Sequence, residues 1–363
     1  MKTAFALFCL AALSLPGAAR VSAADDFAFG ADLSFLKQAE DRGKIFRDGT
    51  NAAPGLQIFR NHNYNWIRLR LFVEPVRENL PNNVTYTLAL ARDAKKLGYR
   101  FLLDFHYANS WADPGKQPTP EQWKTLTHEQ RAQAVFEYTR DTIAKFREAG
   151  LMPDMVQVGN EITHGMLWPD GKLPQNWDHF ADYLRAGVKG VEAGRGDAAR
   201  PQIMLHLAED GKVSATKYFF DKINGYKIPY DVIGFSYYPW WHGTIEDLQA
   251  NLAFAASEYD KDVIVVEAAY YWKENGETAE KLRPFPETPE GQRDFLDAVT
   301  RAVMETPNHR GKGVFWWEPA VTGGLAARGF FDDHGRSLPV MNVFDKFSKP
   351  AAKTDRQSAD NRF

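Results

Sequence analysis

The chain has 363 residues, a formal net charge of −3 and 44% hydrophobic residues. This length and apolar fraction predict a sizeable core, and a single barrel of about 250 residues or more with long loops would fit. The near-neutral charge gives no indication of a nucleic-acid partner or an anionic membrane surface. Aromatic residues are numerous (10 Trp, 14 Tyr and 25 Phe), and several Trp fall in predicted loops.

The first 24 residues have the pattern of a secretory signal peptide. Lys2 supplies a positive charge, residues 4–15 form a short apolar run, and residues 21–23 (VSA) provide a small-residue cleavage site. The only cysteine, Cys9, lies in this segment, so the mature chain would contain no disulfide. No other apolar run reaches about 18 residues, so we expect no membrane partner after processing. We therefore predict a secreted or periplasmic protein that acts as a monomer.

Short apolar segments alternate with longer amphipathic segments along the rest of the chain. The predicted strands are residues 27–33, 65–72, 101–105, 155–158, 202–206, 232–236, 263–267 and 314–317. The predicted helices are residues 56–63, 86–97, 120–149, 177–192, 214–223, 244–259 and 288–305. This order predicts an α/β protein, a single-domain (β/α)8 TIM barrel over residues 25–348 with long loops at the carboxyl-terminal face of the strands. Residues 349–363 are polar and are expected to form a disordered tail.

Residues 155–168 (MVQVGNEITHGMLW) contain the first candidate catalytic residue, Glu161. If side chains alternate along the fourth strand, Gln157, Gly159 and Glu161 share the face that points into the barrel. Glu161 would then stand at the carboxyl end of a strand, where such barrels carry their chemistry. A structural ion pair with a neighbouring arginine is the alternative.

Glu267 closes the seventh predicted strand, whose inward-facing set would be Val263, Val265 and Glu267. A structural salt bridge is again the alternative. Together, however, the two glutamates provide what glycoside hydrolysis requires, one carboxyl group that is protonated and one that is ionised. A separation of about 5 Å would indicate retention of configuration, and about 6.5–9.5 Å would indicate inversion.

Arg68 and Arg70 lie two residues apart on the second strand and so share a face. We predict that Arg68 lies in the barrel mouth and keeps Glu267 ionised by lowering its pKa, although both arginines could instead form structural pairs. Asn160 could hold a sugar hydroxyl or could simply form a turn. Aromatic rings with carboxylates between them suit pyranose rings, because apolar sugar faces stack on Trp and Tyr.

No HExxH or paired-cysteine motif is present, so we predict no metal and no cofactor. His106 and His242 could be metal ligands by residue type, but their aromatic neighbours favour hydrogen bonding to a carboxylate or a sugar. Residues 332–333 (DD) could suggest calcium, but residues 332–335 are more simply a turn.

Several motifs resemble those of the endo-β-1,4-galactanases of glycoside hydrolase family 53, and the resemblance covers nearly all of the mature chain. The loops after the third and sixth strands carry its more specific part. The motifs are GADLS (30–34), NWIRLR (65–70), DFHYANSWADPGKQ (104–117), GNEI (159–162), GMLWP (165–169), SYYPWWHG (236–243), VEAAY (266–270) and FWWEP (315–319).

The resemblance implies a retaining (β/α)8 enzyme that cleaves β-1,4-galactan or arabinogalactan in pectin side chains. Glu161 would be its acid/base and Glu267 its nucleophile, Asn160 would contact the 2-hydroxyl, and Trp317 would form the floor of the subsite at the scissile sugar. The expected substrate-binding residues are Arg68, His106, Trp111, Asp113, Asn160, Tyr238, His242 and Trp317.

Three positions depart from the family pattern. Residues 108–109 (AN) stand where Ser-Asp is usual, Ala268 where Thr is common, and Tyr271 where Pro is common. Some bacterial members bind calcium after the seventh strand, but residues 268–289 lack the Asp-rich pattern expected for it. A related β-1,4-glycanase acting on mannan, glucan or xylan, or a non-catalytic sugar-binding barrel, remains an alternative.

Overall fold

The computed structural model describes residues 27–75, 79–208, 211–274 and 281–347. Within these ranges, eight parallel strands close into a barrel in which each strand pairs with its sequence neighbours and the first pairs with the last. The strands are β1 (Ala28–Asp32), β2 (Trp66–Leu71), β3 (Arg100–Phe105), β4 (Met155–Val158), β5 (Gln202–Leu207), β6 (Val232–Tyr237), β7 (Asp262–Ala268) and β8 (Gly311–Trp316). The predicted (β/α)8 architecture is confirmed. The predicted signal peptide and tail lie outside the described residues.

Helices surround the barrel, and none of those described is both long enough and apolar enough to cross a membrane. The α-helices are α1 (Leu36–Asp41), α2 (Gly55–Asn61), α3 (Val84–Lys96), α4 (His128–Glu148), α5 (Trp177–Arg195), α6 (Val213–Gly225), α7 (Pro239–His242), α8 (Ile245–Tyr259) and α9 (Pro289–Met304). Short 3-10 helices cover Glu121–Trp123, Ile162–His164, Pro307–His309, Gly323–Arg328 and Pro339–Lys346, and two small hairpins pair Arg47–Asp48 with Asn51–Ala52 and Gly165–Met166 with Gly171–Lys172.

The prediction of a helix over residues 120–149 was wrong about where the helix begins, because α4 starts at His128. Thr127 caps α4: its hydroxyl accepts from the backbone N–H of Gln130, whose side chain accepts in return from the N–H of Thr127. This reciprocal pair satisfies two N–H groups that a helix start would otherwise leave unbonded. The segment from Glu121 to Trp123 therefore forms a separate 3-10 turn.

The barrel interior has two layers of side chains. The lower layer is apolar and consists of Ala28, Trp66, Leu102, Met155, Met204, Val232, Ile264, Val266 and Phe315. The layer above it is polar and includes Asp32, Arg68, Arg70, Asp104, Gln157 and His206, each at most 1% exposed. Because charged groups are rarely buried without partners, the upper layer must be a connected network.

A β-bulge in β7 corrects the predicted inward-facing set. Val263 and Val265 pack in the outer core among the helices, whereas Ile264 and Val266 lie inside the barrel. Against β6, Phe235 pairs with Val265 but Ser236 pairs with Glu267, so one residue of β7 is left over. The extra residue reverses the alternation, and Glu267 consequently points into the mouth.

Glu161 also reaches the mouth by a departure from regular strand geometry. β4 ends at Val158, after which Gly159 has φ 86° and Glu161 has φ 47°. Gln157 faces the interior as expected, but Glu161 is placed by a left-handed turn rather than by strand alternation alone. Such a conformation is uncommon for a residue with a Cβ and is found preferentially at functional sites.

Candidate active site

A cavity of about 610 Å³ opens at the carboxyl ends of the strands. Its lining residues are His106, Trp111, Ala112, Asp113, Pro114, Lys116, Asn160, Glu161, Thr163, His164, Ala208, Tyr238, Trp241, His242, Glu267, Trp317 and Arg328. Every site residue predicted from the sequence is among them except Arg68, which is fully buried beneath the cavity floor.

Glu161 and Glu267 face each other across this cavity. A carboxylate oxygen of Glu161 and one of Glu267 lie within 4.8 Å of each other, and both side chains are largely buried. The two carboxyl groups therefore lie close together although they come from the ends of β4 and β7, which are not neighbours in the barrel.

Glu267 is held by a cation and a hydroxyl. Arg68 Nη1 lies 2.7 Å from Glu267 Oε1, and the Tyr238 hydroxyl donates to Glu267 Oε2 at 2.9 Å. Arg68 also contacts Asp32 at 2.9 Å and Asp104 at 2.8 Å. Its role is therefore to bind and orient carboxylates from below, and it does not line the cavity as a substrate contact.

The two glutamates have different electrostatic surroundings. Burial raises the pKa of Glu161 well above its ordinary value, and the negative charge of Glu267 raises it further. Burial also raises the pKa of Glu267, but Arg68 and the Tyr238 hydroxyl oppose this increase. A proton shared by the pair is consequently held by Glu161, while Glu267 is the member favoured as the anion.

A second buried pair supports one wall of the cavity. Arg70 Nη2 contacts Glu318 closely, and the guanidinium lies 4.1 Å from the ring centroid of Trp111 and 4.9 Å from that of Phe35. Burial raises the pKa of Glu318 well above its ordinary value, although Arg70 opposes the shift. The pair positions Trp111, and Glu318 was not among the predicted site residues.

Ser236 and His206 also belong to the site and were not among the predicted site residues. The Ser236 hydroxyl donates to Glu161 Oε1 at 2.6 Å, and His206 Nε2 lies 2.9 Å from Ser236 Oγ. Both lie at the carboxyl-terminal end of a strand, which is the signal that could have revealed them.

His106 and His242 hold loops in place. His106 Nε2 lies 3.0 Å from Asp104 Oδ2, and its Nδ1 accepts from the backbone N–H of Ala112 at 3.2 Å. The Nδ1 of His242 accepts from the backbone N–H of Tyr238 at 3.0 Å. Burial lowers the pKa of His106, so this ring is held neutral.

Two groups of described residues have donors close enough to share a metal. The first is Glu161, His206 and Glu267, whose donors are already engaged by Ser236, Arg68 and Tyr238. The second is His128, Asp170 and His179, between α4 and α5. The two imidazole rings stack with centroids 3.7 Å apart and 17° between their planes, so their ring nitrogens cannot converge on one ion without rearrangement. Neither arrangement leads us to assign a metal.

Aromatic rings form the cavity rim. The rings of Trp111 and Trp317 have centroids 6.0 Å apart, and the guanidinium of Arg328 lies 5.7 Å from Trp317. The side chain of Trp241 is 49% exposed. Asp113 pairs with Lys116 at 3.0 Å at the more exposed edge. The arrangement places aromatic faces and polar groups around the carboxylates, as a saccharide requires.

The sequence model of glycosyl hydrolase family 53 matches residues 28–347. The chain belongs to this family. An uncharacterized protein of Niallia circulans is 37% identical over 311 residues, covering 81% of this chain and 84% of the relative. An arabinogalactan endo-β-1,4-galactanase of Cellvibrio japonicus is 34% identical over 327 residues, covering 85% of each chain. A solved family 53 catalytic domain from Ignisphaera aggregans is 28% identical, with a TM-score of 0.83 and coverage of 91% and 98%.

The residues at the three positions expected to depart from the family pattern are all buried in the structure. Asn109 is buried and donates to the carbonyls of Val73 and Glu74, so it braces a loop and does not line the cavity. Ala268 is buried, and its carbonyl accepts from the backbone N–H of Trp317 at 2.8 Å. The Tyr271 hydroxyl accepts from Arg328 Nη2 at 2.7 Å and so orients a residue of the cavity wall.

The two aspartates at 332–333 form the turn that the sequence favoured. Asp332 Oδ1 accepts from the backbone N–H groups of His334 and Arg336, both at 2.8 Å, and Gly335 has φ 77°. This carboxylate is therefore occupied by its own backbone, as in an Asx turn.

Proposed function

We propose that this member of family 53 is a retaining arabinogalactan endo-β-1,4-galactanase. It would hydrolyse internal β-1,4-galactosidic bonds by double displacement. The observation that carries the proposal is the separation between the carboxylate oxygens of Glu161 and Glu267, which is within 4.8 Å. Retaining glycosidases keep their two carboxyl groups roughly 5–5.5 Å apart, whereas inverting enzymes require roughly 6.5–9.5 Å to admit a water.

In the first step, Glu267 attacks the anomeric carbon while Glu161 donates its proton to the leaving glycosidic oxygen. The carbon–oxygen bond breaks, the shortened chain leaves as an alcohol, and the sugar becomes an ester of Glu267. The raised pKa of Glu161 favours the protonated form that donation requires, and the contact with Arg68 supports the anionic form of Glu267.

In the second step, Glu161 acts as a base and removes a proton from water. The water oxygen attacks the anomeric carbon, the ester bond to Glu267 breaks, and the sugar leaves with its original configuration. Formation of the ester removes the negative charge of Glu267, which lowers the pKa of Glu161, so that Glu161 becomes the stronger acid just after it has delivered its proton.

The rim residues support a polysaccharide substrate. Trp317 and Trp111 offer faces on which sugar rings can stack, while Asn160 and His106 border the same cavity with polar atoms. We assign galactan because the Cellvibrio japonicus relative is an arabinogalactan endo-β-1,4-galactanase. The signal-like segment at residues 1–24 supports export, so that the enzyme would meet its polymer outside the cytoplasm.

The substrate is tested by incubating the mature chain with linear β-1,4-galactan, arabinogalactan, mannan, glucan and xylan. We expect galacto-oligosaccharides from the first two polymers, with a fall in viscosity that precedes complete digestion. Products from mannan, glucan or xylan alone would assign the chain to a related glycanase activity. Galactan binding without products would identify a non-catalytic sugar-binding barrel.

The mechanism is tested by following the anomeric proton of the first product by NMR. A β-configured product that later mutarotates is expected, and an α-configured first product would contradict double displacement. In Glu267→Ala, azide should restore turnover of an activated aryl galactobioside and yield the α-galactosyl azide. In Glu161→Ala it should yield the β-azide instead. Glu305→Ala, at an exposed residue that follows α9, is the control and should retain wild-type turnover.

A further inference from the structure

A closed hydrogen-bond chain surrounds one oxygen of Glu161. Ser236 Oγ lies 2.6 Å from Glu161 Oε1, and His206 Nε2 lies 2.9 Å from Ser236 Oγ. The other ring nitrogen, His206 Nδ1, lies 3.3 Å from the backbone nitrogen of Glu161 and 3.1 Å from Asn160 Oδ1. Ser236 is 3% exposed and His206 is fully buried, so each proton in the chain must be accounted for within the protein.

The chain can be arranged in two ways, because Ser236 has one hydroxyl proton and a neutral His206 has one ring proton. Burial and the nearby charge of Arg68 lower the pKa of His206 well below its ordinary value, so the ring is neutral. If the ring proton is on Nε2, His206 donates to Ser236, and Ser236 must donate to Glu161 Oε1. If it is on Nδ1, Ser236 donates to Nε2, and only a proton on Oε1 could complete the chain.

The partners of the two ring nitrogens decide between these arrangements. Asn160 Oδ1 already accepts from Arg68 Nη2 at 2.7 Å and from Gln157 Nε2 at 3.1 Å, so both of its lone pairs are occupied. The backbone N–H of Glu161 instead needs an acceptor, and Nδ1 without a proton provides one. A buried N–H without an acceptor would cost about 1–3 kcal/mol. The hydrogen bonds therefore favour the proton on Nε2.

We propose that His206, through Ser236, is a positioning residue that keeps Glu161 Oε1 a hydrogen-bond acceptor. The acidic proton of Glu161 is thereby confined to Oε2, the oxygen left to meet the glycosidic oxygen. This inference deepens the proposed function and rests on Glu161 being the acid/base. His206 itself touches no substrate: it is absent from the cavity lining, and it reaches the carboxyl group of Glu161 only through the serine.

Other ionisable groups face this chain and contribute to its electrostatics. Glu267, Arg68 and Asp113 act on Glu161, and Arg68, His106 and His242 act on His206. None of these is changed by a substitution at Ser236 or His206, so both variants leave the surrounding ionisable groups in place.

The test compares Ser236→Ala, His206→Leu, the conservative His206→Gln and the double variant, using galactan and a dinitrophenyl β-galactobioside. Ser236 lowers the pKa of Glu161 by donating to it. In Ser236→Ala the alkaline limb of the kcat/KM profile on galactan should therefore move upward by about one pH unit. We expect kcat/KM on galactan to fall about 10- to 100-fold, the usual share of general acid–base catalysis or somewhat less. In the same variant, kcat/KM on the dinitrophenyl substrate should be nearly unchanged, because its leaving group needs no proton.

His206→Leu should shift the alkaline limb of the kcat/KM profile in the same direction but by less. In His206→Gln, whose amide can still donate to Ser236, the limb should return to its wild-type position. Adding His206→Leu to Ser236→Ala should move the limb no further. Equal losses on both substrates, or additive shifts in the double variant, would overturn the proposal and leave His206 a purely structural residue. Failure of the proposed function itself is distinguishable, since Glu161→Gln would then retain wild-type activity on galactan.

Discussion

Arg68 Nη1 lies 2.7 Å from Glu267 Oε1, whereas the hydroxyl of Ser236 contacts Glu161. The two glutamates share one cavity but have partners of opposite character, a permanent cation and a neutral hydroxyl. Because Arg68 also contacts Asp32 and Asp104, its position is determined by three carboxylates and cannot easily shift towards Glu161. This asymmetry assigns the anionic and protonated roles within the pair.

Glu161→Gln is expected to stabilise the protein at neutral pH. The folded pKa of Glu161 lies well above 4.5, so between pH 4.5 and that raised value the folded state holds a proton that the unfolded state has lost. The wild type therefore loses stability as the pH rises through this window. Glutamine has no such proton to lose, so the variant should gain at least about 1 kcal/mol at pH 8 and almost nothing at pH 4.

Urea denaturation of both proteins at pH 4 and pH 8 measures this difference. Glu305→Gln is the matched control and should show no gain at either pH, because its carboxylate is exposed. An equal gain for Glu161→Gln at both pH values would mean that packing rather than proton binding is responsible.

Glu267→Gln should lower the pKa of Glu161. Burial is the largest cause of the raised value and is retained in the variant, but the charge of Glu267, the second cause, is removed. The shift should be measurable as a lower midpoint for the Glu161 carboxyl carbon in a carbon-13 NMR titration. An unchanged midpoint would show that the two carboxylates do not interact across the cavity.

Arg68→Lys should move the acidic limb of the kcat/KM profile to higher pH, because Glu267 would lose part of the contact that opposes its protonation. A lysine cannot reach all the partners of a guanidinium fork, so unfolding free energy should also fall by about 3–5 kcal/mol. Arg70→Lys is the matched control: it weakens the buried pair with Glu318 in the same way but leaves Glu267 its cation. It should lose comparable stability without moving the limb.

Should Arg68→Lys fail to fold, Tyr238→Phe provides the same measurement. It removes the 2.9 Å hydrogen bond to Glu267 Oε2 and should shift the acidic limb in the same direction. A limb that stays in place in both variants would contradict the assignment of Glu267 as the ionised member.

Trp317→Ala should reduce kcat/KM on galactan more than Trp241→Ala. Trp317 packs beside Trp111 and Arg328 in the cavity, whereas Trp241 is half exposed at the rim. Removing a sugar-stacking ring costs about 1–3 kcal/mol, so we expect roughly 10- to 100-fold for Trp317 and a rise in KM alone for Trp241. Oligosaccharides of increasing length would show how far from the cleaved bond each ring acts.

The barrel could be predicted because its evidence is local. Strands such as β4 and β7 are short apolar runs, and helices such as α3 end at a glycine, Gly98, with φ 78°. The start of α4 was predicted too early, because helical periodicity begins at residue 120 whereas the capping pair of Thr127 and Gln130 begins the helix at His128. The strands, the helix end and the helix cap all depend on residues that are near one another in the chain.

The direction of side chains in β7 could not be predicted in the same way. Strict alternation placed Val263 and Val265 inside, but the bulge places Ile264 and Val266 there. A bulge is set by the register between two neighbouring strands, and register depends on residues of β6 that lie about 30 positions away. Glu267 reaches the mouth because of this register, which no pattern within β7 reveals.

By itself the sequence determined the barrel, the placement of Glu161 and Glu267 at the carboxyl ends of two of its strands, and the motifs of the family. Only the tertiary structure decided that their oxygens lie within 4.8 Å, that Arg68 faces Glu267 from below the floor, and that His206 and Ser236 support Glu161. The reason is physical: chain propensities act over a few residues, whereas closure of the barrel sets the distances between side chains on separate strands.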